Sequence, residues 1–169
     1  MNKNIAASIL CALASLVLLS ACAGNGTEGE AMSELNGGEY TAESRIDDVM
    51  ADPAFGDYGR LLFPVEREYM SGDTLGSLGL TWYSYIDPDE TVEIVNTLRE
   101  RAAAGDTVFY DIYTVDEKAA DPDKADTGLF FFRGDEGAPF AVCSAGGAFA
   151  YVGAMQDSFP HALELSKRG

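Results

Sequence analysis

The sequence predicts an α/β fold, because short strand-like segments alternate with two segments that carry helix-capping signals. The helices are expected at about residues 88–104 and at about Ser158 to Arg168. Three strands are expected over residues 107–114, 129–132 and 139–143, which are rich in aromatic and β-branched residues.

The first helix has the clearest local signals. Asp87 is a natural N-cap, and Pro88 suits the first helical position, where the missing N–H of proline loses no hydrogen bond. Gly105 suits the left-handed position that follows a helix. One apolar face is expected to be buried, formed by Val92, Val95, Leu98 and Ala102.

The second and third strands are expected to form an antiparallel hairpin, because the link Gly134 to Gly137 is short and turn-like. The third strand, Phe140 to Cys143, is apolar and is expected to be buried, with Cys143 as a small hydrophobic residue. The last helix follows, with Asp157 or Ser158 as its cap.

Between this strand and the last helix lies a glycine-containing loop, Ala145 to Phe149. The adjacent Gly146 and Gly147 let the backbone approach a ligand and let consecutive N–H groups point the same way. Such a loop can hold a negative charge, including the oxyanion that forms when an ester carbonyl is attacked. A tight strand-to-helix connection without a ligand is the alternative.

The segment PFAVCSAGGAFAYVGAMQDSFPHALELSKRG resembles the third strand, oxyanion loop and first helix of the α/β-hydrolase fold. The resemblance extends back to about Asp52 through FGDYGRLLFPV, TWYSYIDPDETVEI and TGLFFF. Over this range the chain is similar to a group of bacterial lipoprotein esterases. It implies the first part of an α/β-hydrolase sheet, preceded by a helical and irregular extension.

The resemblance also implies roles for the loop residues. The esterase motif His-Gly-Gly-Gly-Phe corresponds here to Ala145-Gly146-Gly147-Ala148-Phe149, so the His and the third Gly are replaced by alanine. The backbone N–H groups of Gly147 and Ala148 would be the oxyanion donors, with Gly146 and Phe149 supporting the loop. Backbone donors survive such side-chain changes.

A serine triad cannot be assembled from these residues. Neither Ser77 nor Ser144 lies in a G-x-S-x-G frame, which in this fold follows the next strand. The only histidine, His161, precedes the expected position of the catalytic base and is interpreted as a solvated helix residue. We therefore expect the chain to be inactive alone, acting on a small ester only as part of a longer hydrolase.

The N-terminus indicates an export signal. Lys3 precedes an apolar run from Ile5 to Leu19, which is short for a membrane span. The run ends in Leu19-Ser20-Ala21-Cys22, which looks like a bacterial lipobox and implies cleavage before Cys22, with lipid such as palmitate attached there. We expect a lipid-anchored protein on the extracytoplasmic face of the cell membrane; an ordinary secretory signal is the alternative.

Composition excludes some partners. The net charge of −17 without a basic cluster predicts repulsion from nucleic acid and from anionic headgroups. With Cys11 in the leader and Cys22 lipidated, Cys143 is the single free thiol, so no intrachain disulfide is expected.

Four divisions of the chain are expected. They are a signal peptide (residues 1–21), a flexible tether (22–40), an N-terminal extension (41–105) and the first part of the hydrolase core (106–169).

Two other patterns favour ordinary structure over a site, and we expect no metal and no cofactor. The acidic run Asp116 to Asp126 lacks the glycine and glutamate of a calcium loop and reads as solvated. Aromatic residues could stack on sugars, but alternating aromatics usually pack sheets; they are Trp82, Tyr83, Tyr85, Phe109, Tyr110 and Tyr113. The alternative function is a non-catalytic surface lipoprotein that binds a sugar or a peptide.

Overall fold

The computed structural model describes residues 38–169. Its α-helices in this range are α1 (Ile46–Met50), α2 (Pro88–Ala103), α3 (Val115–Ala120) and α4 (Ser158–Ser166). Its strands are β1 (Met70–Ser71), β2 (Gly79–Leu80), β3 (Phe109–Tyr110) and β4 (Leu129–Phe130). Short 3₁₀-helices fill much of the rest, at Gly56–Leu62, Arg67–Tyr69, Leu75–Ser77, Pro122–Asp126 and Ala154–Gln156.

The strands form two separate antiparallel pairs and no larger sheet within residues 38–169. In one pair β1 lies beside β2, with Met70 opposite Leu80. In the other β3 lies beside β4, with Phe109 opposite Phe130. The predicted fold class, an incomplete α/β-hydrolase sheet, is therefore wrong, because that fold requires a continuous, mostly parallel sheet with helices on both faces.

The predicted third strand is also wrong. Residues 139–143 pair with no strand in the described range, and Phe140 and Val142 are 87% and 73% exposed instead of buried. The expected hairpin is absent there as well, because β4 pairs with β3. An apolar segment becomes a buried strand only where a neighbouring strand pairs with its backbone and other segments cover both of its faces. None of the described segments pairs with residues 139–143 in this way. Cys143 is consequently only partly buried.

Helix α2 occupies the region predicted for the first helix. The Asp87 carboxylate accepts hydrogen bonds from the backbone N–H groups of Asp89 and Glu90, at 2.9 and 3.2 Å. Beyond its C-terminal end Gly105 has a φ of +89°, the left-handed conformation that glycine adopts without strain. The helix buries Thr91, Ile94, Val95 and Leu98, so its inner face is rotated from the predicted stripe, leaving Val92 and Ala102 only partly buried.

One apolar core surrounds helix α2. Side chains from α1, the 3₁₀-helices and α4 meet there, so distant parts of the described chain share one interior. The largest fully buried members are Phe55, Ile46, Leu62, Leu75, Ile94, Leu98 and Met155. Burying each such side chain contributes about 1.5–3 kcal/mol before the entropy of ordering is subtracted.

A buried polar cluster ties the start of the described chain to α2. Asp52, which is 7% exposed, accepts hydrogen bonds from the Tyr40 hydroxyl and from Arg99 Nε, both at 2.6 Å. Burial and the Asp52 carboxylate raise the pKa of Tyr40. Burial alone would raise the pKa of Asp52, but the hydrogen bonds from Tyr40, from the backbone of Ala54 and from Arg99 outweigh it and hold that pKa below its usual value.

The predicted signal peptide, most of the predicted tether and the lipidation residue Cys22 lie outside the described residues. The last tether residues, 38–40, contact α2: Tyr40 exchanges two hydrogen bonds with the Asn96 side chain, at 2.8 and 2.9 Å. No helix between residues 38 and 169 is long and apolar enough to span a bilayer.

Candidate functional site

The loop predicted to bind an anion is held at both of its ends. The backbone N–H of Gly146 donates to Asp157 Oδ2 at 2.7 Å, just before helix α4. Gly153 N–H donates to the Gly146 carbonyl at 2.9 Å, and Ala150 N–H donates to the Gly147 carbonyl at the same distance. The segment between these contacts is therefore a fixed turn, not a free strand-to-helix linker.

The backbone of this loop is strained. Ala148 and Phe149 have φ values of +54° and +63°, a left-handed conformation that non-glycine residues adopt at a cost of about 1–2 kcal/mol each. Gly147 has a φ of +143°, and a Cβ there would lie only 1.8 Å from the Tyr151 carbonyl oxygen. Only glycine fits this position, and strain of this kind tends to be found at functional sites.

The two predicted oxyanion donors are available. In residues 38–169 no acceptor receives a hydrogen bond from the backbone N–H of Gly147 or of Ala148. Gly147 is half-buried, whereas Ala148 is exposed. Of the residues predicted to support the loop, Gly146 does so through Asp157, while the Phe149 side chain is fully exposed. Two neighbouring N–H groups on a fixed turn can bind one oxygen of a ligand.

Polar side chains adjoin the loop. Tyr83 Oη lies 3.5 Å from the same Asp157 Oδ2 that holds Gly146. Both polar atoms of the Gln156 carboxamide are buried without a hydrogen-bond partner in the described residues. A Cβ on Gly153 would lie 2.3 Å from Gln156 Nε2, so this side chain packs closely against the backbone of Gly153. Buried amide groups are nearly always hydrogen-bonded, so Gln156 is an exception among the described residues.

Three aromatic rings continue the site on the other side of Tyr151. Its ring stacks on Trp82 and on Tyr69, with ring centroids 5.7 and 5.2 Å apart. Tyr151 is 5% exposed, and its hydroxyl donates to the Thr81 carbonyl. Trp82 itself is 65% exposed and has a φ of +73°. Sequence reasoning named Trp82 but missed its stacking partners, because Tyr69 and Tyr151 lie far apart along the chain.

The strain in the described residues is concentrated here. The non-glycine residues with positive φ between residues 38 and 169 are Trp82, Ala148 and Phe149. Tyr151 touches both places, through its ring at Trp82 and through its carbonyl at Gly147. The loop and the aromatic cluster therefore form one continuous candidate site.

A large apolar cavity lies beside this site. It has a volume of about 1060 Å³ and is lined in part by Phe140, Val142, Val152 and Leu165. The lining reaches Ala145 but does not include Gly146 to Phe149. The unpaired amides therefore do not open into this cavity.

The described residues do not assemble a catalytic triad. His161 is exposed on α4, with its Nδ1 2.6 Å from the Asp157 carbonyl oxygen. Ser77 is engaged in the capping box of Thr74, where its backbone N–H donates to Thr74 Oγ1 at 3.2 Å. Ser144 is exposed in the extended segment before the loop. No hydrogen bond joins His161 to a serine in the part of the chain that the structure describes.

The acidic run Asp116 to Asp126 is folded, not a loop. It forms α3, whose Thr114 and Glu117 make a reciprocal capping box, and the 3₁₀-helix Pro122–Asp126. Some of its charges are paired on the surface, for example Lys118 with Asp111. Over residues 38–169 no group of three or more His, Cys, Asp or Glu side chains is placed to hold a metal ion.

Comparison with known proteins finds no matching protein family, no matching curated protein and no matching solved structure. The chemistry of the site therefore follows from its own geometry: two unpaired backbone donors, a nearby carboxylate and an exposed aromatic surface.

Proposed function

We propose that the loop Gly146 to Phe149 binds the oxyanion of a carboxylic ester during acyl transfer to serine, in a lipoprotein anchored through Cys22. The observation that carries the proposal is that the N–H groups of Gly147 and Ala148 have no acceptor on a turn whose ends are both fixed. The proposal concerns the loop alone and does not depend on a hydrolase sheet.

Electrostatics supports this role. Donors that are fixed before the reaction stabilise a developing negative charge without reorganising, and loss of one such donor typically costs about 2.7–4 kcal/mol of transition-state stabilisation. Gly146 anchors the loop through Asp157, and Gly147 allows the backbone to pass close to Tyr151. The positive φ values of Ala148 and Phe149 persist because the contacts of Gly146 and Gly147 fix the turn.

In this proposal the remaining chemistry comes from other polypeptide. A serine nucleophile, a histidine base and an acid are required for acyl transfer, and Ser77, Ser144 and His161 do not form that arrangement. We therefore propose that the chain supplies only the oxyanion donors and has no esterase activity by itself. With a nucleophile in place, the substrate would be a small carboxylic ester.

The membrane attachment in this proposal is made by lipid. A net charge of −17 repels anionic headgroups, so charge gives no affinity for the membrane surface. Acyl chains on Cys22 would supply the attachment, because each buried methylene contributes about 0.8 kcal/mol.

The test measures anion binding at individual backbone amides. The full chain, labelled with ¹⁵N, is titrated with acetate, whose carboxylate oxygens resemble the oxyanion. We expect the amide protons of Gly147 and Ala148 to shift downfield, and that of Gly146 to shift less because it already donates to Asp157. Equal shifts throughout the loop, or none, would contradict the proposal.

The matched variants are Gly147→Ala and Gly105→Ala. Both place a side chain at positive φ, but only at Gly147 does the new Cβ meet another atom, the Tyr151 carbonyl oxygen at 1.8 Å. Acetate binding should be lost in Gly147→Ala and kept in Gly105→Ala. The unmodified chain should not hydrolyse a chromogenic acetate ester, and serine-dependent turnover would contradict the proposal that it has no nucleophile of its own.

A further inference from the structure

Trp82 occupies a turn position that glycine would occupy more easily. The backbone N–H of Tyr83 donates to the Leu80 carbonyl at 3.1 Å, which closes a β-turn with Trp82 in its third position at a φ of +73°. Turns with positive φ there strongly favour glycine, because a side chain is strained in that conformation. The strain is not offset by burial, since Trp82 is 65% exposed.

The indole is nevertheless held in a defined orientation. It stacks on Tyr151 with an angle of 16° between the ring planes, and Tyr151 stacks on Tyr69 at 25°. Tyr151 is fixed in turn by the hydrogen bond from its hydroxyl to the Thr81 carbonyl. The indole therefore contacts two aromatic rings, and Trp82 is still 65% exposed.

Hydrogen-bonding groups lie at the glycine loop, which adjoins Tyr151. The Asp157 carboxylate and the Tyr83 hydroxyl are 3.5 Å apart. A Cβ on Gly147 would lie 3.5 Å from Tyr151 Cδ2, which places the unpaired N–H groups of the loop next to the supporting ring. The site thus combines a flat apolar face with both acceptors and donors.

We propose that Trp82 is the binding platform for a neutral pyranose ring, with the loop and Asp157 as its polar border. A pyranose presents C–H groups on one face and hydroxyls around its edge, which matches an exposed indole beside mixed donors and acceptors. The net charge of −17 disfavours anionic sugars. This site is independent of the ester chemistry proposed above and needs no nucleophile.

A quaternary ammonium ligand fits this geometry less well. Such cations are recognised by aromatic cages whose rings surround the charge. Here the planes of Trp82, Tyr151 and Tyr69 are inclined by only 16° to 36° to one another, so the rings do not face a common point as the walls of a cage do.

The experiment uses the fact that Trp82 is the only tryptophan in the chain, so that its fluorescence reports directly on the site. The full chain is titrated with cellohexaose, mannohexaose and chitohexaose, and with tetramethylammonium chloride as the competing cation. We expect a saturable blue shift with at least one of the saccharides. A response to none of them, or to tetramethylammonium alone, would overturn the proposal.

Variants separate binding from folding. Trp82→Gly removes the indole and suits the positive φ, so it should keep the melting temperature near that of the wild type while binding, measured by calorimetry, weakens about ten-fold or more. The control is Tyr85→Ala, which removes another exposed aromatic ring and should bind as the wild type does. Unchanged affinity in Trp82→Gly would overturn the proposal, and the wild-type fluorescence titration decides the question if that variant does not fold.

The two proposals fail separately. Acetate shifts at Gly147 and Ala148 in the Trp82→Gly variant report on the anion-binding loop alone. Saccharide binding by the wild type, read from Trp82 fluorescence, reports on the aromatic platform whether or not acetate shifts the loop amides.

Discussion

The Tyr151 ring is stacked against the Trp82 indole, with centroids 5.7 Å apart and ring planes inclined by 16°. The same residue limits the glycine loop, because its carbonyl oxygen would lie 1.8 Å from a Cβ at Gly147. Tyr151 thus links the exposed aromatic surface to the unpaired backbone donors, and its position fixes the spacing between them.

We expect the Tyr151 hydroxyl and ring to contribute separately to stability. Tyr151→Phe removes the hydrogen bond to the Thr81 carbonyl and should lower the free energy of unfolding by about 1 kcal/mol. Tyr151→Ala also removes the ring that stacks on both Trp82 and Tyr69 and should cost about 3–5 kcal/mol. Urea unfolding measures both, with the exposed Tyr110→Phe as the control. Equal losses in the two Tyr151 variants would show that the stacking contributes nothing.

Relieving the strain in the loop should stabilise the protein. Ala148 and Phe149 both have positive φ and are exposed, so glycine at either position removes strain without removing buried contacts. We expect Ala148→Gly to raise the free energy of unfolding by about 1 kcal/mol. Glycine also increases the entropy of the unfolded chain, but the relief of strain in the folded state is expected to be larger. The matched control is Ala104→Gly, whose φ of −75° gives no strain to relieve, so that it should destabilise. A loss of stability in Ala148→Gly would indicate that residue 148 is unstrained.

The parts of the fold that the sequence predicts well are those with local causes. Helix α2 follows from Asp87, Pro88 and Gly105, which act within one turn of the helix ends. The segment at residues 139–143 has the composition of a buried strand, but burial depends on partners elsewhere in the chain, and the described residues provide none.

In the candidate site, too, the local features can be predicted from the sequence and the contacts between distant residues cannot. The Gly146-Gly147 pair is visible as a motif, whereas the stack of Tyr69, Trp82 and Tyr151 joins residues that no local pattern relates. The signal that could have pointed to Trp82 is its place after Leu80-Thr81 at the end of a short strand, where a turn was to be expected.

The buried cluster of Tyr40, Asp52 and Arg99 should make stability depend on pH. The pKa of Asp52 is lowered in the folded protein, so its contribution is present above the pKa of the unfolded chain, about 3.9, and is lost as the pH falls through the folded value. The pKa of Tyr40 is raised, so its contribution is complete below about pH 10, the unfolded value, and declines above it.

Asp52→Asn should remove the acidic part of this dependence. Urea unfolding at a series of pH values should show a wild-type loss of stability below about pH 4 that is smaller in Asp52→Asn. At neutral pH the variant should be less stable by about 3 kcal/mol, because Arg99 loses its partner in a partly buried site. The control is Asp47→Asn, which breaks only exposed pairs, with Arg45 and Arg67. Parallel pH profiles for Asp52→Asn and the wild type would contradict this role.

Cys22 gives a prediction that is independent of the described structure. If lipid is attached to this thiol after cleavage, the mature protein should partition into the detergent phase of Triton X-114 and incorporate labelled palmitate. Cys22→Ser should abolish both the detergent partitioning and the palmitate incorporation. The acyl chains supply the affinity for the membrane, because a net charge of −17 gives the protein no electrostatic attraction to it. The matched control is Cys143→Ser, which removes the partly buried thiol and should leave the labelling unchanged. Detergent partitioning that persists in Cys22→Ser would instead place the anchor elsewhere in the chain.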